Sequence, residues 1–449
     1  MTKIQPTPRR VDSFFRKSLK DPTWRFAGCP DYRHPSKIKH PIGSIIRALL
    51  LGLICNRKTL RDSESLTKSI STSGSSLIPN TISDTTLYTA LGKLPEDYLL
   101  GKLVQQVLSM HRKKQLRPMG VPFGTATIDG KNQATLTSNP NGQGHARDLA
   151  DEKWKKYAPS SATDEGDYYL YPVLRATLSS NEAAPVLYHL PIPPGGSESG
   201  SFHGFLDALH QTYGHLELFR VIDVDAGFTS LQNAQLITTY GYYYLMGLKE
   251  NQPTLFQKAK KHFICQWAIK TPPKISIAEE RNGAVIRRSL WVSNRLEGAI
   301  TSAGEWSDVT EVWCVRQETE KKDGTVTTED RYFLTSIPVK SLTNNQKLLM
   351  IRRHWVVEND VFNSLDLQWR EDDAIWSTRG NAIGTLGVLR LLAYNIVQFL
   401  RKRHLCRKQK DGTRAAPLPW RELFEVITDV FKGLHVGQRE TLQGSISIA

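Results

Sequence analysis

The sequence predicts an α/β protein. A mixed-sheet core carries a β-rich insertion, with an all-helical region before it and a helical tail after it. Three observations carry this expectation. Residues 41–110 place their apolar side chains at helical spacing. From Gly124 the period shortens to that of strands, and helix then alternates with strand as far as Leu248. Residues 274–337 break that alternation with several β-rich stretches, after which helical spacing returns. At 449 residues the chain exceeds the roughly 250–300 at which one hydrophobic core stops growing. The reading therefore divides it into residues 1–118, 119–273, 274–340 and 341–449.

Residues 1–40, rich in Pro, Lys and Arg, are expected to form a partly extended basic arm. An apolar stripe through Ile45, Leu49, Leu53 and Ile54 marks the first helix. A second helix starts near Ser83 or Asp84, either of which can cap it, and a third covers Tyr98–Met110. Ser71–Ser76 reads as a loop and Lys113–Pro118 as a linker. Gly124–Asp129 is then a short strand ending in an acid, followed by strands at Tyr168–Leu178 and Ala184–Leu190. A helix at Phe202–Tyr213, a strand at Phe219–Val224, a helix at Ser230–Tyr240 and a buried strand at Tyr242–Leu248 complete the alternation. The β insertion has turns such as Lys322-Asp323-Gly324. Helices return from Asn344 and through Asn381–Lys402; a basic stretch, Arg401–Arg414, and a last helix at Trp420–Phe431 follow.

Lys plus Arg number 59 against 44 Asp plus Glu, a formal net charge of +15. Such an excess attracts polyanions regardless of their sequence, because each phosphate neutralised releases condensed counterions. Nucleic acid is the expected partner. The five cysteines lie far apart with no C-x-x-C pair, giving neither a zinc signature nor a disulfide framework, as in a reducing cytoplasm. The opening residues lack the apolar stretch of a secretory signal. The run Ile45–Ile54 is too short to span a bilayer and carries Arg47, so no membrane is expected. No Gly-rich P-loop is present, hence no nucleotide cofactor is expected.

Three acids stand where metal-dependent chemistry on phosphates would use them. Asp129 closes the first β run, Asp225 closes the strand FRVIDVD, and Glu358 sits in a long helix within RRHWVVEN. Strand ends and a packed helix can hold converging carboxylates for two Mg²⁺ ions about 3.5–4 Å apart. Alone, each acid is an ordinary turn former or a solvated helix residue. Asp223 shares a strand face with Asp225, since side chains alternate with period two, and reads as structural or supporting. Glu371, Asp372 and Asp373 form a further acid cluster, read as a solvated turn or as partners for Arg370 and Arg379.

The chain resembles the DDE transposases of bacterial insertion sequences, in the IS-four superfamily. Ile128-Asp129-Gly130-Lys131 is similar to the family's DGK at the first acid, and Asp225-Ala226-Gly227-Phe228 to D-x-x-F/Y at the second. Gly247-Leu248-Lys249-Glu250-Asn251-Gln252 resembles the K-x-NQ segment. His354-Trp355-Val356-Val357-Glu358-Asn359 resembles the phrase around the third acid, and Ile82–Leu87 the segment preceding the core. The resemblance implies an RNase H-like core with Asp129, Asp225 and Glu358 as catalytic metal ligands for two Mg²⁺ or Mn²⁺ ions. It implies cut-and-paste transposition in a bacterial cytoplasm, with the protein on the nucleoid when bound to DNA. A homodimer would act on terminal inverted repeats read by residues 1–118, and then on target DNA. Lys131, Lys249, Asn251, Arg352, Arg353 and His354 are the expected DNA-contacting residues. The family's Tyr-x-x-Arg-x-x-x-Glu-x₆-Lys signature is broken here: Ile351, His354 and Leu365 occupy the Tyr, Arg and Lys positions. Two rival readings are a DNA-binding protein of the same fold without chemistry, and a nuclease without strand transfer.

Overall fold

The computed structural model describes residues 7–72, 78–137, 161–163, 166–294 except 194 and 282, 306, 308–406 except 373, 375 and 378, and 416–433. Among the described residues the sheet has ten strands. Five form the core: β1 (Thr125–Thr137), β3 (Gly166–Leu178), β4 (Val186–Pro191), β5 (Val221–Val224) and β6 (Tyr243–Leu248). Their order is β4-β3-β1-β5-β6, antiparallel between the first three and parallel from β1 through β5 to β6. With α6 (Glu198–Tyr213) and α7 (Leu231–Thr239) as the crossovers, this is an RNase H-like core. The short β2 (Ser161–Thr163) pairs with β3.

The β insertion does not fold apart from this sheet. Its strands β7 (Ile275–Arg281), β8 (Ala284–Ser293), β9 (Glu311–Glu320) and β10 (Val326–Thr335) continue it antiparallel, β10 pairing with β6. One face of the sheet packs Ile128, Ile222, Val224 and Met246 against α6, α7 and α8 (Pro253–Ala268). The other face, through Leu245, Trp313 and Phe333, packs against Leu348, Met350 and Ile351 of α9 (Asn344–His354).

The helices at the two ends of the chain share a second core. α1 (Thr7–Ser18), α2 (Ile42–Ile54), α3 (Leu60–Thr72), α4 (Asp84–Leu91) and α5 (Glu96–Arg112) pack with α10 (Asn363–Trp369), α11 (Ala382–Phe399) and α12 (Trp420–Gly433). α2 and α11 are buried on nearly all sides and lie in its middle, as mostly apolar helices do. The stretch Ala382–Leu405 is long and apolar enough to cross a membrane, yet 89% of its apolar window is buried inside the protein. Burial of that extent is what a core helix shows.

Several expectations need correcting. The N-terminal arm contains a helix, α1, because Val11 and Phe15 form one buried face, Phe15 meeting Phe431 at 4.6 Å between ring centroids. α3 and α8 add to the expected helices. α3 is polar and Ser/Thr-rich but buries Leu66 and Ile70, and α8 opens with Pro253 in its first turn. Of the loop expected at 71–76, residues 73–76 lie outside the described residues, and Ser71 and Thr72 end α3. The basic stretch 401–414 continues helically through Leu405, while 407–414 lies outside the described residues.

Candidate active site

Asp129 does not end its strand. β1 runs on to Thr137, but its parallel pairing with β5 stops at Ile128↔Val224. Beyond that pair β1 is held by β3 alone, with Asp129 opposite Arg175. Asp225 follows Val224 directly, so the two acids stand side by side where β5 leaves the sheet. A crevice opens at this point in an open α/β sheet.

Asp225 caps a single turn, Ala226–Phe228, its Oδ1 accepting from Gly227 N at 2.8 Å. The Asn251 amide donates to the carbonyls of Ala226 and Thr229, and Gln252 donates to Thr229 O at 3.0 Å. The Asn-Gln pair therefore clamps the turn that presents the second acid. Asp129 Oδ1 accepts from Gly130 N at 2.8 Å. Its carboxyl is pushed up to about 7 by burial and by the charge of Asp225, with a smaller push from Glu358; the Gly130 N–H and His354 oppose the rise. Asp129 thus feels the charge of both other acids. Among the described residues, no three acidic, imidazole or thiol side chains enclose one common point.

Glu358 is not in an unbroken helix. α9 ends at His354, and Val357–Phe362 forms a π-helical turn before α10. Val357 and Val361 are buried while Glu358 is exposed. A π turn shifts the helical register locally and is frequent at functional sites. α9 itself is anchored by a capping box at Thr343 and by a buried pair between Lys347 and Glu311 at 2.6 Å.

One layer beneath the acids lies Asp223, 1% exposed, accepting from the Thr127 hydroxyl at 2.7 Å. His354 Nδ1 sits 3.0 Å from each Asp223 oxygen. Burial draws the imidazole down, but the charge and hydrogen bond of Asp223, with Asp129 and Asp225 behind it, hold it up at about 8. Asp223 thus pairs with His354 directly beneath the acids.

The other expected DNA contacts are distributed unevenly. Lys249 is exposed at the end of β6. Lys131 Nζ is 2.5 Å from Asp366 and its side chain is largely buried, 5.5 Å from the Phe362 ring centroid. Arg352 pairs with Glu279 of β7 at 2.7 Å, and Arg353 donates to the Ser180 carbonyl. Ile351 and Leu365, at the family's Tyr and Lys positions, are fully buried core residues.

Two features escape a reading of the sequence. Glu371 is neither a solvated turn residue nor a partner of Arg370 or Arg379. It is fully buried in a two-bond pair with Arg175, at 2.7 and 2.8 Å, which ties the segment after α10 to the strand beside Asp129. Burial opposes its charge, yet Arg175 holds its carboxyl below the ordinary range. Asp373 lies outside the described residues. Glu198, in the first turn of α6, reaches Gly130; burial and Asp225 raise its carboxyl. The only signal for Arg175 is a charged residue in an apolar strand, and for Glu198 an acid just after Ser197 at a helix start.

The Transposase DDE domain family model matches residues 142–396, more than half of the chain. The chain belongs to that family. Asp225 and Glu358 fall inside the matched span, and Asp129 precedes it. Searched against curated proteins, the sequence finds no match. Transposases of this family act on DNA and use divalent metal ions. Carboxylates are the hard anionic ligands such ions take, and Asp129 and Asp225 each have one oxygen held by a backbone N–H, but the three acids do not enclose one point among the described residues.

Proposed function

We propose that this protein is an insertion-sequence transposase of the IS-four superfamily that cleaves transposon ends and joins them to target DNA. The observation that carries the reading is the meeting of Asp129 and Asp225 where β1 and β5 part, with Glu358 within electrostatic reach. Two Mg²⁺ or Mn²⁺ ions held by Asp129, Asp225 and Glu358 would supply Lewis-acid stabilisation to the attacking and leaving oxygens. Water attacks the phosphodiester at the transposon end and releases a 3′-OH. That hydroxyl then attacks a target phosphodiester, so one bond forms as another breaks and no protein–DNA bond is needed.

The protein's own groups position the substrate. His354, kept cationic by Asp223, holds a phosphate oxygen, and Lys249 contacts the backbone from the end of β6. Lys131 and the helix bearing Arg352 and Arg353 flank the same path. Asn251 acts by keeping Asp225 in place. The helical N-terminal region binds the terminal repeats. A groove of about 610 Å³ there, lined by Tyr32, Arg33, Lys37, Lys39 and His40 and by hydroxyls of Ser83 and Thr86, suits a phosphate backbone. The active assembly is a homodimer on DNA in the bacterial cytoplasm.

The test is to incubate the full-length protein and Mg²⁺ with DNA bearing the inverted repeats that flank its gene and with a target plasmid. Joined products support strand transfer. Nicks alone would reduce the reading to a nuclease, and retardation without cleavage to a DNA-binding protein.

A further inference from the structure

The linker expected at Lys113–Pro118 is instead a fixed loop. The buried Asn181 amide, from the turn between β3 and β4, donates to the carbonyls of Gln115 and Arg117 at 3.2 and 3.0 Å, and Leu116 is buried in the core. With the end of α5 and Leu218, this loop forms a groove of about 500 Å³ that displays His111, Arg112, Lys114 and Arg117. Arg112, Lys114 and Arg117 are exposed, and among the described residues no carboxylate pairs with any of them. Their neighbour Lys113 pairs with Asp21, and Glu217, the acid at the rim, pairs with Arg220 at 3.1 Å. We propose that this groove holds the phosphate backbone of terminal-repeat DNA, at a point on the duplex away from the cleaved phosphodiester. This rests on the repeat-binding role given above to the N-terminal region.

The groove's place in the fold separates it from the chemistry. The loop leads into the start of β1, where Met119 N donates to Ser180 O at 3.0 Å and Thr125 N to Ser180 Oγ at 2.9 Å. Asp129 lies four residues beyond Thr125, about 13 Å at strand rise, past the other end of the parallel pairing with β5. α5 connects this groove with the one proposed above for the repeats. Lys93, just before α5, lays its ammonium on the Tyr32 ring of that groove, 5.0 Å from the centroid. The 17 residues of α5 span about 25 Å, the length of about seven base pairs, so one repeat duplex can meet both. A role within the protein alone does not account for these cations. Basic side chains at a helix C-terminus complement its dipole, but that effect falls off within the last turn, and Lys114 and Arg117 lie beyond it. The backbone there is already capped, Gln115 N bonding to Met110 O and Lys114 N to His111 O, with Lys114 in the left-handed position at φ 55°. Glycine ordinarily fills that position, so the cap does not call for a lysine.

The experiment measures binding of the full-length protein to repeat-end DNA and to random duplex across a salt series, with thermal melts as the folding control. Wild type is compared with Lys114→Gly and with the triple variant Arg112→Gln, Lys114→Gly, Arg117→Gln. Glycine takes the left-handed backbone at no steric cost, so Lys114→Gly should melt at or above the wild-type temperature yet bind repeat-end DNA more weakly. Each phosphate no longer neutralised lowers the slope of log K against log salt by about 0.9, so the triple variant should lose about 1.8–2.7 from it. Its hydroxyl-radical footprint should lose protection about seven base pairs from the stretch that Lys37→Glu with Lys39→Glu exposes. A folded triple variant that superposes on wild type in slope and footprint overturns the groove's role while repeat binding stands. Weakening confined to random duplex overturns the assignment to repeat DNA. A wild type with no preference for repeat-end over random DNA overturns the repeat-binding reading and this proposal together.

Discussion

Replacing Glu371 by leucine should be among the most damaging single changes in this protein, although the residue touches no proposed ligand. Both Glu371 and Arg175 have fully buried side chains, joined by bonds of 2.7 and 2.8 Å, and Arg175 also donates to Gln133 Oε1 at 3.2 Å. Leucine is of similar bulk, so the cavity cost is small. The main cost is an uncompensated guanidinium, about 3–5 kcal/mol when one member of a buried pair is removed. Folded domains are stable by only about 5–15 kcal/mol, so this is a large fraction. Removing both charges, Arg175→Met with Glu371→Leu, should restore stability to within about 2 kcal/mol of wild type, the remaining deficit being Gln133 Oε1 and His189 Nδ1 left without a donor. Urea unfolding followed by tryptophan fluorescence measures all four corners of this cycle. A single Glu371→Leu change that leaves the midpoint unmoved would refute the reasoning. So would a double variant as unstable as the sum of its parts, since the charges would then not be coupled.

The part of metal-free stability that rests on Asp129 and His354 should fall as pH rises from about 4 to about 8. His354, raised to about 8 from 6.5, contributes stability that is full below pH 6.5 and lost as pH passes 8; Asp129, raised to about 7 from 3.8, loses its contribution between those values. Asp129→Asn should therefore be more stable than wild type at pH 8, and Asp223→Asn should flatten the slope between pH 6.5 and 8; thermal melts across that range check both, and identical pH profiles would contradict them. Asn251→Ala removes the clamp on Ala226 and Thr229 and should speed amide exchange at Gly227 and Phe228; unchanged exchange would mean the turn is held by other bonds. Reversing Lys37 and Lys39 to Glu should reduce the slope of log K against log salt for end-DNA binding by at least about 0.9 for each phosphate that is no longer neutralised. An unchanged slope places the DNA elsewhere.

Much of the core is legible in the sequence because it rests on local patterns. The alternation from β3 to β6 shows in period-two runs, and the family-like phrases single out Asp129, Asp225 and Glu358. The parts that are not legible depend on distance in the chain. Arg175 meets Glu371 across 196 positions, and nothing near either residue signals the pairing. β1 reads as ending at Asp129 because Gly130 follows, a combination that usually marks a turn, yet pairing with β3 carries the strand to Thr137. A Cβ at Gly130 would meet the Glu198 carboxyl, an approach only the fold reveals. α1 and α3 are weak helix formers that tertiary burial of Phe15, Leu66 and Ile70 stabilises.

The central claim is that Asp129, Asp225 and Glu358 act as one metal-binding unit for DNA cleavage and joining. Its most direct test places Asp129→Asn, Asp225→Asn and Glu358→Gln, singly and together, in a strand-transfer assay with repeat-end DNA and Mg²⁺. Each swap keeps side-chain shape and removes an anionic ligand. Every variant should still retard end DNA yet neither cut nor join it, with single losses as severe as the triple loss because the three act as a unit. One variant cleaving at the wild-type rate would contradict the account.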